Sequence, residues 1–208
     1  MRSRFLVLAA SAILLEVAAL LMGCGSSSEE ARPLANGGQS VSTAEAVHQA
    51  LPTVNPQVGL VAYHSPDKGY SLAYPEGWEV VAEGGFTDYF VWRAESGRTY
   101  AQLAVSCRTA EQGGTSPDRM ASQDVQMIKE FGGGAVNPTD VGPIQVGDLP
   151  GKQFTYTYQL SGLTVEQVAA YVVHGACGWR LALASYGPGT LGPYLPLFQR
   201  IIAAFRPD

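Results

Sequence analysis

Gln153-Phe154-Thr155-Tyr156-Thr157-Tyr158-Gln159-Leu160 alternates without a break. Phe154, Tyr156, Tyr158 and Leu160 fall on one side of an extended chain and Gln153, Thr155, Thr157 and Gln159 on the other, because successive side chains of a strand point to opposite faces. Aromatic and β-branched residues suit such a half-buried pleated surface. The stretch predicts an amphipathic strand whose apolar face needs cover. Upstream, Leu149-Pro150-Gly151 turns the chain out of a short strand predicted over 141–146. Downstream, Ser161-Gly162 turns it into a strand from Val165 to Val173, and 174–178 leads to another from Trp179 to Tyr186. Consecutive hairpins of this kind predict a largely antiparallel sheet.

The same period runs through the first half of the domain. Tyr70, Leu72 and Tyr74 alternate with Ser71 and Ala73, Pro75-Glu76-Gly77 makes a turn, and Trp78, Val80 and Ala82 resume the alternation. Strands are predicted over 89–94 and 100–107, joined through Glu95-Ser96-Gly97-Arg98. Helical spacing replaces period two at 117–131, where Ser116 and Pro117 open an element carrying Met120, Val125, Met127, Ile128 and Phe131. The Met pair reads as core filling. A closing helix is predicted within 190–205 from Leu195, Phe198, Ile201, Ile202 and Phe205, with Pro193 and Pro196 near its start.

Composition bounds the function. The 208-residue chain is 46% hydrophobic and 10% aromatic, as expected of one folded domain with a sizeable core. With 13 basic residues against 18 acidic ones and no Lys/Arg run, it lacks the electrostatic footprint of a nucleic-acid binder. Residues 25–59 are poor in aromatics and rich in Ser, Gly, Ala and Pro, the composition of a tether. Within it, Ser42-Thr43-Ala44-Glu45 has the form of a capping box opening a short helix through Leu51.

At the N-terminus, Arg2 and Arg4 precede an apolar run that ends in Leu21-Met22-Gly23-Cys24. That ending resembles the lipobox of bacterial lipoproteins, whose cysteine becomes the lipidated first residue of the mature protein. The resemblance implies a signal peptide over 1–23, an acyl chain such as palmitate on Cys24, a tether over 24–59 and an extracytoplasmic domain over 60–208 at the cell envelope. A membrane span is disfavoured because the run is short and Glu16 at mid-membrane would cost about 2.5–3.5 kcal/mol. Cys107 and Cys177 then remain, in a compartment that permits oxidation. They read either as one disulfide between neighbouring strands or as two buried thiols.

Asp67-Lys68-Gly69-Tyr70-Ser71-Leu72-Ala73-Tyr74-Pro75-Glu76-Gly77-Trp78 resembles the opening of PsbP-like domains, in which an aromatic strand runs into a Tyr-Pro-x-Gly-Trp turn. Leu149-Pro150-Gly151-Lys152 with its Tyr-rich strand, Trp179-Arg180-Leu181-Ala182-Leu183-Ala184 and the stretch 198–205 resemble the close of that superfamily. The resemblance covers about residues 62–206. It implies an α+β fold, an α/β/α sandwich around a central, largely antiparallel sheet, used for docking to a partner more than for chemistry. Cyanobacterial PsbP-like members are lipoproteins associated with photosystem II, and other bacterial relatives are envelope lipoproteins. No photosystem residue set carries over to this chain.

Chemistry leaves few candidates. There is no Gly-x-Ser-x-Gly or His-Glu-x-x-His motif. His174 with Cys177, and His64 with Asp67, are two-ligand pairs without a third partner, and read as loop residues. Glu76, Glu79, Glu83 and Asp88 would need to converge for acid/base work. No cofactor or metal is expected. The expected function is a lipid-anchored, non-enzymatic binding or assembly accessory with a protein partner in a membrane complex and a membrane contact through its anchor. Phe86 and Asp88 in one loop region and Tyr186 and Tyr194 in another are the expected partner surface, since Gly and Pro nearby keep aromatics out of regular structure. The alternatives are a carrier of a lipid or other apolar ligand, which needs a deep apolar cavity between sheet and helix, and a small exported hydrolase or metal-dependent enzyme.

Overall fold

The computed structural model describes residues 55–81, 86–132 and 136–208. The signal segment, Cys24, the capping box at 42–45 and Glu83 lie outside the described residues. Among the described residues ten strands and two helices follow in order: β1 (Leu60–Ser65), β2 (Tyr70–Pro75), β3 (Glu79–Val81), β4 (Thr87–Arg93), β5 (Thr99–Arg108), α1 (Pro117–Gly132), β6 (Asn137–Val146), β7 (Leu149–Leu160), β8 (Leu163–His174), β9 (Cys177–Tyr186), α2 (Leu195–Ala203) and β10 (Arg206–Pro207). Seven strands form one sheet in the order β3-β4-β5-β9-β8-β7-β6, and β1, β2 and β10 form a smaller one in the order β1-β2-β10. Every pairing is antiparallel.

Alternation along the strands builds two cores. Leu103, Val105, Val168, Ala170, Val172, Leu181 and Leu183 point to one face of the large sheet. There they meet Phe198, Ile201 and Ile202 of α2 and Tyr70 and Leu72 of the small sheet. Tyr156, Ala169, Tyr171 and Ala182 point the other way, against Met120, Ala121 and Ile128 of α1. The result is the expected α/β/α sandwich, with the small sheet sharing the second face. Burying one large apolar side chain contributes about 1.5–3 kcal/mol, so both faces of the sheet hold stability. α1 begins as its sequence foretells: the Ser116 hydroxyl accepts the Arg119 N–H at 3.2 Å, with Pro117 as the first helical residue.

Four boundaries differ from the sequence reading, each for a physical reason. β1 has no clean period two, yet Leu60–Ser65 pairs along its whole length with β2. β6 starts at Asn137, four residues before the expected 141, and carries Pro138 and Pro143; it is an edge strand, where a missing N–H can face away from the ladder. A register shift between Asp140 and Gly142, with Gly142 at φ 104°, absorbs the irregularity. The closing helix is confined to Leu195–Ala203 behind a 3₁₀ turn at Gly192–Tyr194, because Pro193 and Pro196 occupy first-turn positions of separate turns. Lastly, 55–58 do not behave as free tether: Arg200 of α2 donates through Nη1 to the Pro56 and Val58 carbonyls at 2.8 and 2.9 Å.

Candidate functional site

The β1–β2 hairpin and β4 converge on one carboxylate. Ser65 Oγ and the Tyr70 hydroxyl donate to Asp88 Oδ2 at 3.0 and 2.6 Å, and Lys68 Nζ pairs with Oδ1. Asp88 is 1% exposed. Three donors from the small sheet thus close over a β4 side chain of the large one, and the pair is a fastener between sheets. Burial, reinforced by the hydrogen bond to Asp88, raises the Tyr70 hydroxyl far above its ordinary value, so it stays a proton donor at any physiological pH. Asp88 is therefore not part of an exposed partner surface. A polar residue next to a glycine loop is buried here because its partners lie 18–23 residues upstream.

Phe86, two residues away, is 69% exposed. It rims a cleft of about 630 Å³ lined by Tyr63, Lys68, Asp88, Gln112 and the bridge between Cys107 and Cys177. The bridge is set by the strand register. Arg108 faces Gly178 across β5 and β9, which leaves the two cysteines diagonal to each other with Cα atoms 5.4 Å apart. The cleft therefore has a fixed floor, made of a buried ion pair and a crosslink, under an open apolar rim. Tyr63 lies across it, 5.0 Å from Phe90 and perpendicular to it.

The other expected surface residues are internal. Tyr186 ends β9, is 6% exposed and donates its hydroxyl to Gln102 Oε1 at 3.2 Å. Tyr194 in the 3₁₀ turn is 4% exposed and stands edge-on to Trp92 at 6.2 Å. Both are core residues, because Gly and Pro around them bend the chain inward over the sheet. The metal pairs do not assemble. Cys177 has spent its sulfur in the bridge, and His64 Nδ1 meets Ser71 Oγ at 3.0 Å. Among the described residues no three His, Cys, Asp or Glu side chains come together as a metal site. Glu79 faces Arg93 at 3.4 Å and Glu76 is solvent-exposed, so those carboxylates do not meet either.

A second ionic cluster, between α1 and the sheet, was not singled out by sequence. Asp124 of α1 is wholly buried and holds Arg108 of β5 and Arg180 of β9, the latter through Nε to Oδ2 at 2.5 Å. The Tyr171 hydroxyl donates to the same oxygen at 2.6 Å and shares a 2.9 Å hydrogen bond with Tyr156. Burial alone would raise the Asp124 carboxyl, but the two guanidiniums outweigh it and hold the group below the usual carboxylate range. The sequence carried a signal: Met120, Asp124 and Ile128 are four apart on the apolar stripe of the helix, so a carboxylate there faces the core.

No family model matches the chain, and no curated protein matches its sequence. Solved structures do. The cyanobacterial PsbP (CyanoP) of Synechocystis sp. PCC 6803 aligns with a TM-score of 0.53 at 13% identity, covering 73% of this chain and 94% of that one. The Ran-binding protein Mog1p of Saccharomyces cerevisiae aligns with a TM-score of 0.53 at 10% identity, covering 72% of this chain and 95% of that one. At such identities the likeness is one of fold, and the fold of this chain is PsbP-like.

Proposed function

We propose that this chain is a lipid-anchored, extracytoplasmic accessory protein that binds a protein partner without catalysing a reaction. The observation that carries the reading is Phe86, a large apolar side chain 69% exposed at the rim of a cleft whose floor is held by the Asp88 ion pair and a disulfide. An apolar anchor over a rigid polar floor is the anatomy of a protein-docking surface, in which a few buried aromatic contacts dominate the binding energy. The fold is used for binding in at least one neighbour, Mog1p, described as a Ran-binding protein. The lipobox-like Leu21-Met22-Gly23-Cys24 supplies the anchor, and the Ser/Gly-rich segment after it gives reach of roughly 33 Å if it behaves as a coil. Proximity to a membrane complex and surface fit would then set the partner.

The test is a photo-crosslinking amino acid placed at position 86 in intact cells, with the same group at the exposed Leu163, in the β7–β8 hairpin at the other end of the sheet, as control. Enrichment of one membrane complex at 86 and not at 163 is the expected result. Equal, diffuse labelling at both would end the docking reading. The anchor is tested separately: Cys24→Ser should abolish fatty-acid labelling and release the protein from membranes. A lipid carrier finds less support, since the cavity between α1 and the sheet is about 90 Å³, well below the roughly 300–1,000 Å³ of usual ligand pockets.

A further inference from the structure

That small cavity has its own chemistry, on the sheet face opposite the cleft and independent of it. α1 covers β7 and β8 more fully than β5 and β4, and the uncovered part of the face is lined by side chains of five strands. Ala104 and Ala182 stand opposite each other on β5 and β9, and Ala184 stands opposite Gln102. Three alanines where the neighbouring rows carry Arg, Tyr and Gln leave a depression in the sheet. Met127 and Ile128 of α1 wall one side of it, and Tyr89 and Tyr186 also line it. Its volume of about 90 Å³ would hold several waters, given that roughly 10–15 Å³ holds one.

The two ends of the depression are chemically distinct. At one end Arg108 and Arg180 line it together with the hydroxyls of Ser106 and Thr87, which face one another across β4 and β5. Two guanidiniums there share one carboxylate, Asp124, so the cluster carries one positive charge that no other described carboxylate balances. At the other end Gln167 is 5% exposed. Its Oε1 accepts the Tyr158 hydroxyl at 3.4 Å, while its Nε2 is buried with no partner. An unpaired buried amide donor is destabilising, and such a group in a cavity wall is satisfied by whatever acceptor enters.

The geometry points to a binding site for a short oxo- or hydroxy-carboxylate, its carboxylate at Arg108 and Arg180, its carbon chain over the alanine floor, and its second oxygen accepting from Gln167 Nε2. Simple anions fit only one end. Neutral apolar molecules fit only the floor.

The experiment is titration of the purified full-length protein, followed through the methyl resonances of Ala104, Ala182 and Ala184, with 4-oxopentanoate as probe. Pentan-2-one removes the charge and pentanoate removes the second oxygen. 4-Oxopentanoate is expected to shift all three methyls saturably and to bind at least about tenfold tighter than pentan-2-one, the worth of one charge-assisted hydrogen bond. Gln167→Leu should erase its preference over pentanoate while leaving pentanoate binding unchanged. A second variant, Ala184→Leu, fills the floor and should abolish binding of both acids. Equal affinity for 4-oxopentanoate and pentan-2-one, shifts that never saturate, or an undiminished preference in Gln167→Leu would overturn the assignment.

Discussion

Asp124 and Arg180 come from different layers, one from the inward stripe of α1 and one from β9, and meet at 2.5 Å in a place where the carboxylate has no contact with solvent. The contact fixes how the helix sits on the sheet. Apolar packing of Met120 and Ile128 would tolerate sliding by a turn, because a stripe of similar side chains has several acceptable registers. A carboxylate that must meet two guanidiniums and the Tyr171 hydroxyl has one.

Removing that carboxylate should be severe. Asp124→Ala leaves Arg108 and Arg180 facing each other without compensation, and breaking a buried pair in this way costs about 3–5 kcal/mol. Urea denaturation of the variant is expected to show a midpoint lowered accordingly. A change under 1 kcal/mol would show the cluster to be solvated in solution.

The same group gives the protein an acid-sensitive share of its stability. The folded carboxyl lies below its unfolded value, so its contribution is complete above about pH 4 and is lost as pH falls through the lower folded value. Asp140, held down on the surface first by its hydrogen bond to Lys152, adds a dependence of the same sign. The difference in stability between wild type and Asp124→Asn should therefore shrink as pH falls below 4. A constant difference between pH 2 and pH 7 would contradict the assignment.

How much of this was open to inspection in the sequence depends on the range of the interaction. Period two in Phe154 to Leu160 and the Ser116-Pro117 opening are local signals, and β7 and α1 lie where those signals put them. β1 was not legible, because Leu-Val-Ala-Tyr-His-Ser lies in a two-sided environment in which exposure does not alternate. Asp88 looked like a loop-side carboxylate because its donors, Ser65, Lys68 and Tyr70, precede it by a turn and a whole strand. Tyr186 looked free because its acceptor Gln102 is 84 residues away. The two readings of Cys107 and Cys177 could be separated only by the β5–β9 register, which no local pattern encodes. Gln167 was visible as a polar residue among apolar ones in 165–173, but the missing partner of its Nε2 is a property of the cavity.

Reducing the bridge should destabilise the domain without dismantling it. Cys107 and Cys177 are 70 residues apart in sequence, and closing a loop of that length is worth about 4 kcal/mol on the chain-entropy account, with 2–4 kcal/mol usual in practice. The double variant Cys107→Ser/Cys177→Ser is expected to lower stability by that amount and to retain native circular dichroism, since the buried residues of both cores are others and the two cysteines only pack against the margin of one. Wild type treated with reductant should match it. Wild-type stability unaffected by reductant would mean that the bridge does not form in the purified protein.

Tyr70→Phe isolates one strand of the fastener between the sheets. The ring stays in its core contacts with Trp179 and Phe205, at 5.4 and 5.7 Å, while the hydroxyl that donates to Asp88 Oδ2 is removed. Ser65 still donates to the same oxygen, so the carboxylate is weakened and not orphaned. A loss of about 1–3 kcal/mol is expected. Amide exchange should accelerate in β1 and β2 before it does in β5 and β9, because the small sheet is the part that this bond ties down. Uniform acceleration across both sheets would instead make Asp88 a determinant of global folding.

Gly178 tests a close backbone approach between β9 and the loop ahead of α1. A Cβ built there would lie 2.6 Å from Gly114 Cα, 2.7 Å from Gly114 O and 2.7 Å from Met120 Sδ. Two of those three neighbours are backbone, and Gly114 cannot retreat, since its own Cβ position is 2.0 Å from the Arg108 carbonyl. Gly178→Ala must therefore push the loop ahead of α1 away from β9, at about 1–3 kcal/mol as for other overpacked sites. The displacement acts next to Cys177 and at the foot of the helix that carries Asp124. Its effect should consequently be non-additive with Asp124→Ala. In a double-mutant cycle, the combined loss is expected to fall short of the sum, because α1 released by one change no longer resists the other; strict additivity would place the glycine contact outside the helix-docking unit.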